Sequence, residues 1–170
     1  LALIRQLRHE AGVMWIGGGC GSGKSKRVPW LLAMNTSGVA VSMPTRLGAW
    51  TLAQHVWIAA PDLYRHYGLW NGVTDASPSM RHFVQLCTPV SLFHQLVNCD
   101  LADISWVLLD EFHVLDGVVA LMVQVLLQMT IAERGGYSPK LGLVTATPSG
   151  AMVHVGRLLL DHYCPQEYEV

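Results

Sequence analysis

The sequence predicts an α/β fold, a mainly parallel sheet flanked by helices on both faces. Two observations lead there. Short apolar runs of strand length alternate with helical patterns, and several runs are almost unbroken in apolar residues, as expected of strands covered on both sides. The expected strands are Val13–Ile16, Val39–Met43, Phe83–Cys87, Trp106–Leu109 and Leu141–Thr145. Helical patterning falls on Lys24–Ala33, Gly48–Ala59, Ser91–Asn98 and Asp116–Arg134, and more faintly on Met152–His162. A polar, turn-rich stretch from Asn71 to Ser79 joins two strand–helix blocks of one sheet.

Composition bounds the rest. The 170 residues fit one domain, large enough to bury about two thirds of its unfolded surface. With 51% hydrophobic and 14% charged residues, a filled core is expected and disorder is not. A net charge of −1 gives no general positive field, so a polyanion would have to be gripped by placed amides and a few side chains. Cys20, Cys87, Cys99 and Cys164 stand far apart without a CxxC pair, which argues against a disulfide framework or a zinc site and for reduced thiols. No signal peptide is legible at the start, where Arg5, Arg8 and Glu10 interrupt the apolar residues. The apolar stretch Val118 to Ala132 is broken by Gln124, Gln128 and Thr130 and is too short for a bilayer. Beginning with Leu1 and stopping at Val170 without a terminus signal, the chain is expected to be a piece of a longer protein.

The most specific signal is the run Gly17-Gly18-Gly19-Cys20-Gly21-Ser22-Gly23-Lys24-Ser25, which follows an expected strand and opens an expected helix. It matches G-x-x-x-x-G-K-[ST] through Gly18, Gly23, Lys24 and Ser25. Glycines let successive N–H groups turn toward phosphate oxygens, and the helix start adds a favourable dipole. Lys24 is placed to reach the β- and γ-phosphates, and the Ser25 hydroxyl to ligate Mg²⁺. The expected nucleotide-binding set is Gly18, Gly19, Cys20, Gly21, Ser22, Gly23, Lys24, Ser25 and Lys26, for ATP or another nucleoside triphosphate.

A second chemical signal is the strand Trp106–Leu109 running into Asp110 and Glu111. Ligands of doubly wound sheets bind at the carboxyl ends of the strands. The expected metal set is therefore Ser25, Asp110 and Glu111, with Glu111 also the general base toward water. Read alone, Asp110 is better taken as an ordinary helix or turn cap and His113 as a structural histidine; the phosphate loop upstream reverses the balance for Asp110. Leu141–Thr145 ends in a turn whose Thr145 and Thr147 either hydrogen-bond the acidic pair or merely shape the turn. Pro44-Thr45-Arg46 and Cys87-Thr88-Pro89 end two further strands. Their hydroxyls and Arg46 suit a phosphodiester backbone, and they suit simple helix caps as well.

Taken in order, these five loops resemble helicase superfamily two in its DExH branch. Gly18–Ser25 looks like motif I, Pro44-Thr45-Arg46 like motif Ia, and Thr88 is similar to motif Ib; Asp110-Glu111-Phe112-His113 looks like motif II and Thr145-Ala146-Thr147-Pro148 like motif III. The runs Gly21–Arg27 and Thr145–Gly150 look most like helicases from polyproteins of positive-strand RNA viruses, of flavivirus, potyvirus and hypovirus type. The resemblance spans nearly the whole chain. It implies a RecA-like P-loop domain that hydrolyses NTP with Mg²⁺ to translocate on RNA and unwind duplexes, in the host cytoplasm. It also implies catalytic roles for Lys24, Glu111 and His113, RNA contacts through Pro44, Thr45, Arg46 and Thr88, and coupling through Thr145, Ala146 and Thr147, with His113 joining that coupling. The family's second RecA-like domain, with its arginine fingers, is expected as a partner and is not found before Val170; no DEAD-type glutamine motif precedes the phosphate loop. Two other classes stay open: a P-loop kinase, which needs an arginine-bearing lid that no Arg-rich segment supplies, and a non-catalytic scaffold, against which the intact Lys24, Ser25, Asp110 and Glu111 argue.

Overall fold

In a computed structural model, residues 13–19, 21–70, 83–98, 104–112 and 139–146 are described. The elements are β1 (Val13–Gly17), α1 (Lys24–Ala33), β2 (Val39–Ser42), α2 (Arg46–Ala59), a 3₁₀ turn (Pro61–His66), β3 (Tyr67–Trp70), β4 (Val84–Cys87), α3 (Pro89–Asn98), β5 (Trp106–Leu109) and β6 (Lys140–Thr145). The expected helices at Asp116–Arg134 and Met152–His162 and the loop at Asn71–Ser79 lie outside the described residues.

The strands form one six-stranded sheet in the order β1-β6-β5-β2-β4-β3, and every pairing is parallel. The α/β class and the parallel sheet are as the apolar runs predict. Side chains alternate across each strand, so the register sorts them into two faces. Val39, Val41, Leu86, Leu108 and Val144 share one core with Leu32 and Ala33 of α1 and Ala49, Leu52, Ala53 and Val56 of α2. The residues directed to the other face, among them Ala40, Val107, Leu109, Leu141 and Leu143, are buried too, so a second layer covers that side. The crossovers β1→β2 and β2→β3 run in one direction along the sheet and β4→β5 in the other. Right-handed connections therefore put α1 and α2 on one face and α3 on the opposite one.

Local chemistry explains most boundaries. The Thr45 hydroxyl accepts the Gly48 N–H at 2.9 Å, so α2 starts at Arg46, two residues before its apolar pattern does. Thr88 accepts the Ser91 N–H at 3.4 Å, and Pro89 follows at the first helical position, where its missing N–H is harmless. β3 is the strand that sequence patterning passes over. It is a short edge strand containing Gly68, with Tyr67 and Leu69 buried and Gly68 and Trp70 half-buried. Gly142 has a packing reason: a Cβ there would come within 2.3 Å of Leu108 Cδ2. Cys87 is a free, buried thiol that donates to the Val41 carbonyl at 3.3 Å; burial pushes its pKa up to about 12.

Candidate functional site

β1 hands the chain to a loop that only glycines traverse easily. Gly21 (φ 77°) and Gly23 (φ 89°) are in the left-handed region, where a Cβ is disfavoured. Gly23 is the N-cap of α1, and no side chain caps this helix. The first turn carries no acid; Lys24, Lys26 and Arg27 stand there instead. Cations at the positive end of a helix are disfavoured by roughly 0.3–1 kcal/mol each. Pro29, inside α1, has no N–H to give the Ser25 carbonyl. The other two helices among the described residues are capped by Thr45 and Thr88. This helix start thus departs from the local rules of capping and charge that favour helix stability.

The Lys24 ammonium folds back over this loop. It donates to the Gly18 carbonyl, to the Gly19 carbonyl at 2.8 Å and to Ser22 Oγ at 3.4 Å. Half-buried Ser25 follows it at the base of the helix.

The acidic turn is held from both sides. Asp110 N–H donates to the Ser42 carbonyl of β2 at 2.9 Å, and Phe112 N–H to the Val144 carbonyl of β6 at 3.0 Å. Glu111 between them adopts φ 52°, a conformation that disfavours a side-chain-bearing residue by roughly 1–3 kcal/mol and persists where the surroundings impose it. Its N–H donates to Asp110 Oδ1 at 3.1 Å. Phe112 is buried and anchors the end of the turn.

Asp110 is 6% exposed. Burial pushes its carboxyl above the usual range and the Glu111 charge adds to this, while a hydrogen bond from the Ser25 hydroxyl, the Glu111 N–H and the Lys24 charge pull the other way. The phosphate-type loop and the buried acid are thus neighbours, although β6 separates their strands. The register shows how: Gly17 pairs with Thr145 and Leu109 with Leu143, so the two loops and the end of β6 emerge at one level. Thr145 is fully buried there, and Ala146 is half-buried. Two strand spacings, roughly 10 Å, separate the ends of β1 and β5.

The raised carboxyl predicts a pH effect. Since the folded state holds Asp110 protonated to higher pH than the unfolded chain does, its ionisation costs stability as pH rises through the folded pKa, and acid relieves that cost. Asp110→Asn should be at least as stable as the parent at neutral pH, with the difference shrinking as pH falls through the elevated range. Urea unfolding of both proteins across a pH series measures it; a difference that grows toward acid would contradict this account.

The structure brings together Gly18, Gly19, Gly21, Ser22, Gly23, Lys24, Ser25, Asp110, Glu111, Thr145 and Ala146 along one stretch of the sheet's carboxyl edge, with Lys26 exposed on the first turn of α1. Cys20, His113 and Thr147 lie outside the described residues. The other loops emerge from β2 and β4, the next two strands along the same edge. Pro44 is half-buried and Thr45 and Arg46 are exposed. Thr88 is 9% exposed and shares its hydroxyl with Ser91 Oγ at 3.0 Å, so its visible work is capping α3. Sequence reading misses Ser42 and Val144, which hold the acidic turn through backbone carbonyls that carry no side-chain signature. Among the described residues no cluster of three or more His, Cys, Asp or Glu is placed to hold a metal ion. The Ser25–Asp110 pair suits Mg²⁺ nonetheless, since that ion takes one or two protein ligands with phosphate oxygens and water.

Fold and site together define an all-parallel α/β domain with a glycine-rich loop beside a buried carboxylate. No family model matches the chain, and no curated protein is similar to it in sequence. Among the described residues no helix is long and apolar enough to cross a membrane.

Proposed function

We propose that the chain is the nucleotide-binding half of an NTP-driven RNA helicase, hydrolysing ATP with Mg²⁺ and working against a second RecA-like domain. The observation that carries the reading is the meeting of Ser25 and Lys24 with the buried Asp110 carboxylate. A glycine-rich loop ending in Lys24 and Ser25 beside a buried acid is the arrangement that Mg²⁺ and a phosphate chain need around them. Bound there, Mg²⁺ supplies charge neutralisation on the phosphate oxygens. Lys24 would exchange the Gly18 and Gly19 carbonyls for the phosphates, and Glu111, next to Asp110 in the same turn, would accept the proton of the attacking water.

The order of the strands supports the coupling part. Neighbouring strands β1, β6 and β5 present the nucleotide loops, and the adjoining β2 and β4 present the loops that resemble RNA-contacting motifs. The Asp110 N–H bond to the Ser42 carbonyl joins the two groups. A change at the acidic turn therefore bears directly on the strand that leads to Thr45 and Arg46. The viral type and the host cytoplasm rest on the motif resemblance alone.

The test is a titration of the chain with a fluorescent ATP analogue, with and without Mg²⁺ and oligouridylate. Mg²⁺-dependent binding is expected, with slow hydrolysis in the absence of an arginine finger. RNA and nucleotide should also change each other's affinity by the same factor. No binding at millimolar nucleotide would overturn the reading, and a phosphorylated small-molecule acceptor would replace it with a kinase.

A further inference from the structure

The overall charge conceals a strong local asymmetry. No Asp or Glu occurs between Glu10 and Asp62, whereas Lys24, Lys26, Arg27 and Arg46 all lie in that interval. This is the segment that builds α1 and α2, and the two helices share one face of the sheet. Lys26, Arg27 and Arg46 are exposed. Among the described residues the stretch that builds α1 and α2 is therefore positive, and the first acid after it is the exposed Asp62 in the 3₁₀ turn that follows α2.

On the same layer α2 displays an aromatic side chain that the core does not use. Its inner stripe is Ala49, Leu52, Ala53 and Val56. Arg46, Trp50, Gln54 and Trp57 fall at helical spacing along one flank. Trp57 packs partly against the core, and Trp50 stands against it edge-on, with ring centroids 6.1 Å apart and planes at 87°. The contact leaves the Trp50 residue 41% exposed. Arg46 is one helical turn away, with Cβ atoms about 6 Å apart at such spacing, and it sits at the strand-end edge where α2 begins.

We propose that Trp50 is a stacking platform for an unpaired nucleobase, and that single-stranded nucleic acid runs along this flank with a phosphate on Arg46. The proposal rests on the helicase reading and adds to it a base contact outside the five motif loops. Every base has a π-face, so an exposed indole gives affinity without sequence preference, which suits a translocating motor. The local charge points to the class of occupant: exposed Arg46 one helical turn from a half-exposed indole favours a polyanion with flat rings over an apolar protein face.

Fluorescence anisotropy with labelled oligouridylate tests this on the 170-residue chain, using Trp50→Leu and Trp50→Phe beside the parent. Leucine keeps an apolar side chain on a half-exposed position but has no π-face; phenylalanine keeps one. Trp50→Leu should bind the oligonucleotide about tenfold or more weakly, with an unchanged salt slope and unchanged affinity for Mg-ATP, and Trp50→Phe should recover most of the loss. Arg46→Ala should instead lower the salt slope by about one. Oligonucleotide affinity within twofold of the parent for Trp50→Leu would overturn the stacking proposal and leave the helicase reading standing. Failure of the parent itself to bind oligouridylate at low salt would overturn both.

Discussion

Glu111→Gln should retain Mg-ATP binding while its turnover falls by about 10²- to 10⁴-fold, the range that general acid–base catalysis contributes. The substitution is nearly isosteric and removes the carboxylate charge together with its capacity to accept a proton. The backbone should not move: the left-handed turn at Glu111 is imposed by Asp110 N–H on Ser42 and Phe112 N–H on Val144, and neither bond uses the altered side chain. Single-turnover phosphate release, with affinity measured in parallel by a fluorescent ATP analogue, separates the two effects. Equal release rates for parent and variant would move the base to another residue.

Lys24→Ala should act at the earlier step and weaken Mg-ATP binding by about 10- to 100-fold, the equivalent of one hydrogen bond to a charged group at roughly 1.5–3 kcal/mol. The same change releases the Gly18 and Gly19 carbonyls from the ammonium, so the loop loses its internal clamp as well as its cation. Lys24→Arg keeps the charge in a planar fork that does not fit between those carbonyls and should restore little of the affinity. Calorimetric titration with Mg-ATP measures both variants. Parent-like affinity in Lys24→Ala would mean that the loop binds no phosphate. The two substitutions thus divide the site, one impairing turnover with binding intact and the other impairing binding itself.

Much of this site is local and so is legible in the letters. A glycine run ending in Lys24 and Ser25 after an apolar strand announces a left-handed turn into a helix start, because only glycine takes those angles cheaply. The near-continuous apolar runs Val39–Ser42 and Trp106–Leu109 announce strands buried on both faces, and the structure buries every residue in them. Less legible were features that depend on neighbours. The edge strand Tyr67–Trp70 is too short and glycine-interrupted to carry a pattern, and forms because β4 offers it an open ladder. Thr45 and Thr88 are ambiguous in sequence between capping and ligand contact. Their hydroxyls prove to cap α2 and α3, which leaves Arg46 the stronger candidate for a phosphodiester. Trp50 carried no signal in the apolar pattern of its helix, because exposure is decided by what packs beside it.

By itself the sequence determined the fold class, the glycine-rich helix start and the acid-tipped strand, since each depends on backbone angles, side-chain periodicity and burial within a few residues. The tertiary structure alone decided who stands next to whom. Along the chain the phosphate-type loop, the Arg46 loop, the Thr88 loop, the acidic turn and the Thr145 end follow one another; across the sheet, the order β1-β6-β5-β2-β4 gathers the first, last and acidic ones together and sets the other two beside them. Crossover connections let sequentially distant strands become neighbours, and the burial of Asp110 beside Ser25 and Lys24 exists only once those strands have paired.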